Sequence, residues 1–424
     1  MKVLLVEPEF PISAKSKNHK NYLPIGLLKL ASHYKNRGDF VKLVRGNSQY
    51  EELTFEPDQI MITSLFTYWR KYVKESAEHY RSLFPKARII VGGIYASLMP
   101  KDCKEYTGCD EVFEGIHGGA EKATPDYELI AGQRNLGYQI IHASRGCIRN
   151  CSFCGVHQIE PKFTFKKSIK DEIRANKLIF YDNNILANPY IKDILKEIAD
   201  FRYKGRPVIC ESQCGFDRRL LTPNIAALIK KARFTNVRIA WDGPYSKSKE
   251  VEKQIDMLIG AGYRSSDIFV FMVYNWEIDF DEMEKKRKKC RQWNVQIADC
   301  RYRPTDQAYD NYNPFKKQTN GDYFIHPKWT DGLVKRFRRN VRRQNICVRM
   351  GFDSYDSNKE RQGAEKRGIR NKVTLILKAR GYTEVKIRQV GRAKGGWIIF
   401  FKTGSRSYKA EVSFSFQVNS ILEL

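Results

Sequence analysis

No uninterrupted apolar run in this sequence approaches the roughly 20 residues of a membrane-spanning helix, which argues against a helical membrane protein. No basic segment leads into an apolar stretch and a cleavage site. The chain starts directly on a strand pattern, Lys2-Val-Leu-Leu-Val6, and a cytoplasmic location with no membrane partner is predicted. Acidic residues are scarce, 48 Asp and Glu against 75 Lys and Arg, for a net charge of +27. A lysine-rich solvated surface gives such a count. A surface that meets polyanions gives it too, because positive charge raises encounter rates and supplies salt-dependent affinity for phosphate backbones. There is no second C-x-x-C, so the ten cysteines do not indicate a second metal cluster, and in a reducing compartment they do not predict a disulfide framework. Seven of them (Cys103, Cys109, Cys210, Cys214, Cys290, Cys300 and Cys347) are scattered and read as buried small hydrophobes.

What is present is a double alternation of strand and helix. Residues 1–130 place strands at Val3–Val6, Phe40–Val44, Gln59–Thr63 and Arg88–Val91, and helices over Pro24–Arg37 and Trp69–Phe84. That order implies a parallel sheet covered on both faces, a doubly wound domain. Gly92-Gly93 after the fourth strand allows either a tight turn or close backbone approach to a ligand. A second alternation fills residues 131–305. Its strands are Gln139–Ala143, Leu178–Tyr181, Pro207–Glu211, Asn236–Trp241, Ile268–Val273 and Val295–Ala298. Helices are expected at Ser168–Asn176, Tyr190–Phe201, Pro223–Lys231, Ser248–Ile259 and Asp281–Gln292, the third opening on a Thr222 cap with Pro223 in its first turn. Six such units predict a partial relative of the (β/α) barrel, whose active sites lie at the carboxyl ends of the strands. The fold class is therefore α/β, with a doubly wound domain followed by a partial barrel. Residues 306–365 read as a basic linker with a helix, and 366–424 as a small α+β module of one short helix near Val373–Leu377 and three or four strands.

The run Ser144-Arg-Gly-Cys-Ile-Arg-Asn-Cys-Ser-Phe-Cys-Gly155 follows the first barrel strand. Three soft thiolates on one short loop, Cys147, Cys151 and Cys154, suit three irons of a cubane and leave the fourth iron without a protein ligand. The alternative is a closed zinc site, with His157 the near candidate for a fourth ligand. The C-x3-C-x2-C spacing with Phe153 before the third cysteine resembles the signature of the radical S-adenosylmethionine (SAM) superfamily. The resemblance implies a [4Fe-4S] cluster, SAM bound at the open iron, and reductive cleavage of SAM to a 5'-deoxyadenosyl radical that abstracts a substrate hydrogen. It also implies a reducing partner such as a flavodoxin or ferredoxin.

Further positions match places that the superfamily uses at strand ends. Phe153, Asp182, Asn183, Glu211, Gln213, Trp241 and Asp242 are expected around the cofactor, with Asp182 accepting from the methionine ammonium and Trp241 packing on adenine or substrate. Tyr274, expected to be exposed, and Arg301 and Arg303 are the candidates to act on the substrate. The first 130 residues resemble the cobalamin-binding-type domain of one branch of the superfamily, through the opening strand, Pro24-Ile-Gly-Leu-Leu-Lys-Leu-Ala31, Val91-Gly-Gly93 and the linker Thr124-Pro-Asp-Tyr-Glu-Leu129. The Asp-x-His-x-x-Gly that offers a cobalt ligand is absent, and a basic loop at Lys15–Lys20 stands in a short domain, so cobalamin is left open.

Three functions follow. The first is a radical enzyme that modifies RNA or DNA, docking it on the basic stretch Lys335, Arg336, Arg338, Arg339, Arg342 and Arg343, with Phe337, Trp397 and Tyr408 able to stack on bases. The second is a radical enzyme, cobalamin-dependent or not, that methylates or oxidises a small metabolite or peptide. The third is a non-catalytic iron-sulfur protein that binds nucleic acid.

Overall fold

The computed structural model describes residues 1–11, 23–130, 137–308, 311, 317–393 and 395–424, so the Lys15–Lys20 loop lies outside the described residues. The chain divides into two compact units, Met1–Val341 and Arg342–Leu424. The predicted 306–365 segment is thereby shared between them.

The first unit opens on a five-stranded parallel sheet. In chain order its strands are β1 (Lys2–Glu7), β2 (Phe40–Arg45), β3 (Gln59–Ser64), β4 (Arg88–Gly93) and β5 (Glu111–Phe113), and in space they lie β2-β1-β3-β4-β5. Both faces are covered. Val3 and Leu5 pack with Leu27, Ala31 and Tyr34 of helix α1 (Ile25–Lys35), and Leu4 and Val6 pack with Val73, Ala77 and Tyr80 of helix α2 (Arg70–Leu83). A strand apolar on both parities is what burial between two helical layers requires. Gly93 takes φ +103°, and a Cβ there would stand 2.2 Å from the Ser64 carbonyl oxygen. The close approach foreseen at Gly92-Gly93 is thus to the neighbouring strand.

Six parallel strands follow: β6 (Gln139–Ile141), β7 (Lys177–Phe180), β8 (Ile209–Ser212), β9 (Arg238–Ala240), β10 (Phe269–Tyr274) and β11 (Gln296–Arg301). The ladders β6-β7-β8 and β9-β10-β11 are linked by a parallel bridge from Phe216 to Ile239. Helices α3 (Ile191–Asp200), α4 (Pro223–Lys231), α5 (Ser248–Gly260) and α6 (Phe280–Gln292) alternate with them. Thr222 caps α4, its hydroxyl accepting from the Ile225 amide at 3.2 Å. The helix expected over Ser168–Asn176 is absent; a single 3-10 turn, Lys170–Glu172, stands there. The Gln139 side chain accounts for this, since it accepts from the Arg174 amide (2.7 Å) and donates to the Glu172 carbonyl (2.8 Å), taking backbone groups that a helix would pair internally.

Helix α7 (Asp331–Met350) carries the basic stretch and spans the division between the units. Val334, Phe337 and Val341 are buried at helical spacing, while Arg336, Arg338, Arg339, Arg342 and Arg343 are exposed. Lys335 pairs with Asp331 at 2.8 Å, and the Arg336 guanidinium lies 5.3 Å from the Phe280 ring centroid. In the second unit, helix α8 (Ser357–Ala379), much longer than the short helix expected, packs Ile369, Val373 and Leu377 on an antiparallel meander. Its strands are β12 (Lys386–Ala393), β13 (Gly396–Thr403), β14 (Arg406–Ser413) and β15 (Val418–Glu423). The aromatics expected to stack on bases are engaged elsewhere. Phe337 is fully buried beside Tyr274 and Trp329, Tyr408 is buried and stacked on Phe401, and Trp397 packs on Phe414 and Phe416.

Candidate active site at the carboxyl edge of the barrel

The cysteine loop leaves β6 through Ala143–Arg145 and is held by two carboxylates. Asp182, just past β7, has no exposed surface; its Oδ1 accepts from the Ser144 amide (2.5 Å), the Ser144 hydroxyl (2.7 Å) and the Ala143 amide (3.0 Å). Burial pushes its carboxyl up to about 6, against those hydrogen bonds. The sequence reading expected Asp182 to hold the cofactor's ammonium; here the carboxylate is fully buried, with Oδ1 engaged by the loop and Oδ2 accepting only from the Ala143 amide at 3.1 Å. Glu160 accepts from the Gly146 amide (2.5 Å) and from Asn183 Nδ2 (3.0 Å), and pairs with Arg145 at 2.9 Å. Gly146 itself has φ +76°, and a Cβ would meet the Lys162 carbonyl oxygen at 2.5 Å, so glycine is required where the loop folds back on itself.

All three cysteines are partly buried, and the Cys154 amide donates to the Cys151 carbonyl at 3.0 Å. Cys147 Sγ accepts from the Arg149 amide (3.4 Å) and from Asn184 Nδ2 (3.8 Å). Asn184 also donates to Asp217 (3.1 Å), which pairs with Arg149 and Arg219, each at 2.9 Å. Asn184 stands in the turn that the sequence offered as a donor; Arg149, Asp217 and Arg219 were missed, although Arg149 stands within the cysteine run itself. Burial first, and then the neighbouring thiols and Asp242, push the Cys151 thiol up; burial does the same at Cys154. Three thiolates brought to one metal centre repel one another, and a shared cationic core offsets that repulsion. Asn184 Oδ1 is buried without a hydrogen-bond partner. The donor set and this orphaned acceptor both fit an iron-sulfur cluster with a polar ligand beside it. Among the described residues, no three His, Cys, Asp or Glu side chains gather to hold a single metal ion.

Burial alone would raise the Asp217 carboxyl, but hydrogen bonds from Arg219 and Arg149 outweigh it and hold the group down to about 2. A folded-state value below the unfolded one means stability that is complete above about pH 4 and lost as pH falls through about 2. Comparing urea midpoints of the protein and its Asp217→Asn variant should show a gap that is constant at neutral pH and closes between pH 4 and 2. An unchanging gap across that window would contradict this assignment.

Strand parity sorts the remaining candidates. On β9 and β10, Ile239, Trp241, Val270, Met272 and Tyr274 lie in the core beneath the helices, while Ala240, Asp242, Phe271 and Val273 are only half-buried and turn the other way. Trp241 and Tyr274 are therefore corrections. Trp241 is fully buried against Trp293 and Lys286, and Tyr274, 3% exposed, packs on Phe337. Asp242 faces the cysteines closely enough to raise Cys151 and Cys154. Phe153 and Gln213 are half-buried, and Glu211 is engaged inside the barrel by Arg238 at 2.7 Å, by Gln213 at 3.3 Å and by Lys177 at 3.7 Å. Arg301 sits opposite Tyr274, 4.2 Å from the Tyr323 ring, and donates to Gln318 at 2.9 Å. Arg303 reaches back to the first sheet, 4.4 Å from the ring of Tyr68, and Gly155 of the cysteine loop lies against Leu98. The carboxyl edges of sheet and barrel therefore meet beside the loop. Of the cysteines read as buried, Cys214 is half-buried and Cys300 is exposed.

Among the described residues, no helix is long and apolar enough to cross a membrane. No family model matches the sequence, and no curated protein matches it. The solved structures do. The radical SAM methyltransferase TsrM from Kitasatospora setae, with tryptophan substrate and the SAM analogue aza-SAM bound, superposes with a TM-score of 0.55 at 14% identity, over 70% of this chain and 72% of its own. The same enzyme with cobalamin and a [4Fe-4S] cluster gives 0.53 at 13% identity over the same shares. Over 70% of its length, then, this chain has the fold of a radical S-adenosylmethionine enzyme.

Proposed function

We propose that this chain is a radical SAM enzyme that modifies a nucleic acid by hydrogen abstraction. The observation that carries the chemistry is the position of Cys147, Cys151 and Cys154 on one loop at the carboxyl end of the first strand of a six-stranded parallel barrel. Cys147, Cys151 and Cys154 would hold a [4Fe-4S] cluster, which would supply one electron for the reductive cleavage of SAM. The chain does the rest by placement. Asp182 and Glu160 fix the loop, Asn184 and the Arg149 amide donate to Cys147 Sγ, and Asp242 with Asn184 Oδ1 offers acceptors for a cationic cofactor. The charge supports a nucleic-acid substrate: residues 342–424 hold 18 Lys and Arg against 7 Asp and Glu, and the arginines of α7 are exposed.

A second reading, cobalamin-dependent methyl transfer to a small molecule or peptide, is favoured by the meeting of sheet and barrel at Tyr68, Leu98 and Arg303 and by the likeness to TsrM. Salt separates the two. Anaerobically reconstituted protein should form 5'-deoxyadenosine from SAM with reductant, and should bind single-stranded RNA with an affinity whose logarithm falls with salt by about 0.7 per phosphate contact. The Arg336→Ala/Arg338→Ala/Arg339→Ala variant should flatten that slope. RNA binding no tighter than that of an unrelated protein of equal charge would leave the methyl-transfer reading in its place.

A further inference from the structure

At the root of the cysteine loop, a cavity of about 630 Å3 runs along the outer side of β6. Among the described residues β6 is the terminal strand of its sheet. Part of that side is closed by Tyr127, whose hydroxyl accepts from the Ile140 amide and donates to the Ile140 carbonyl, both at 3.2 Å. The rest is open, and its walls are cationic. Lys29, Lys122, Arg145, Lys166 and Lys167 line it against two carboxylates, Glu121 and Glu172.

Three of these cations are already matched: Lys29 by Glu121 (2.9 Å), Lys166 by Glu172 (2.7 Å) and Arg145 by Glu160 (2.9 Å). Lys122 and Lys167 are exposed and have no carboxylate partner among the described residues, Lys167 lying 5.7 Å from the Tyr190 ring centroid, and Arg145 Nε, which makes no hydrogen bond, stands 3.6 Å from Glu121. His142, 5% exposed, also lines the space. Its Nε2 lies 2.7 Å from Arg145 Nη1, which has only protons to give, so Nε2 accepts and Nδ1 keeps the ring proton as a donor. Burial, then the charges of Arg145, Lys29 and Lys166, hold this histidine well below its ordinary value, as expected where positive potential has accumulated.

We propose that this cavity binds a phosphorylated small molecule. The volume lies in the range of small-ligand sites, roughly 300–1,000 Å3. The surplus of cations over carboxylates matches a phosphate dianion better than a single carboxylate, and Lys122, Lys167 and the His142 Nδ1–H are the donors left to hold it. Ile141 and Phe165 offer apolar surface to the remainder of the ligand. None of the three cysteines lines the cavity, and the proposal does not depend on how SAM is used.

Calorimetric titration of the reconstituted protein with inorganic pyrophosphate, at ionic strength fixed with sodium chloride, tests this. We expect saturable binding at one site, weakened at least tenfold in Lys122→Glu/Lys167→Glu and unchanged in Lys285→Glu/Lys288→Glu on the exposed side of α6. Both pairs are exposed, and thermal melting of each variant confirms its fold. Equal weakening in the two variants would mean general attraction of polyanions, and no saturable binding above chloride would mean no site; either result overturns the proposal. 5'-Deoxyadenosine formation, read separately, reports on the cysteine loop alone.

Discussion

Replacing Cys151 by alanine is expected to reduce 5'-deoxyadenosine formation to background, a loss of about 1,000-fold or more, equivalent to roughly 4 kcal/mol of activation free energy. The size of the effect follows from the donor set. Two thiolates and a methyl group do not hold three irons, and no other cysteine stands on the loop to substitute. Iron and sulfide content should fall with the activity. Thermal stability without the cluster should hold, because Cys151 is only partly buried. Full product formation by Cys151→Ala would remove the cubane from the account, while the fold would stand.

Asp182→Ala is the second large effect, and it falls on stability first. The substitution strips three donors, the Ala143 amide, the Ser144 amide and the Ser144 hydroxyl, of one buried acceptor. Each unsatisfied buried group costs about 1–3 kcal/mol, so a loss of about 3 kcal/mol or more is expected in urea unfolding at neutral pH. That is a large share of a domain's usual margin of about 5–15 kcal/mol. Asp182→Asn, which keeps one acceptor oxygen and the shape, should lose roughly half as much. The pair of variants also decides what the residue does. If Asp182 held the cofactor directly, Asp182→Asn would weaken SAM binding and leave the unfolding midpoint in place, the opposite of what the buried geometry predicts.

Most of the architecture was legible in the residues. All six barrel strands and four of the five barrel helices lie where the apolar pattern put them, because a strand or helix buried under a layer must repeat its apolar residues at the period of its backbone. The failure at Ser168–Asn176 came from a side chain distant in sequence, Gln139, which captured the local backbone. Strand β5 was missed because it has only three residues, Glu111–Phe113, too few to show a period.

The cysteine loop was equally legible, since its three thiols are close in sequence and their spacing alone restricts what they can bind. The polar residues at the strand ends were not. Whether Trp241 and Tyr274 meet the site or the helices depends on strand parity, and a shift of one residue at a strand end exchanges the two faces. Whether Asp182 or Asp217 is free depends on donors brought from far away: Ala143 lies 39 positions from Asp182, and Arg149 lies 68 from Asp217. The sequence by itself thus determined the succession of elements and the soft-metal loop, both written in local spacing. Only the tertiary structure decided which polar groups were already satisfied. A hydrogen bond is short-ranged and directional, and nothing in the composition of a segment records which partner will arrive there.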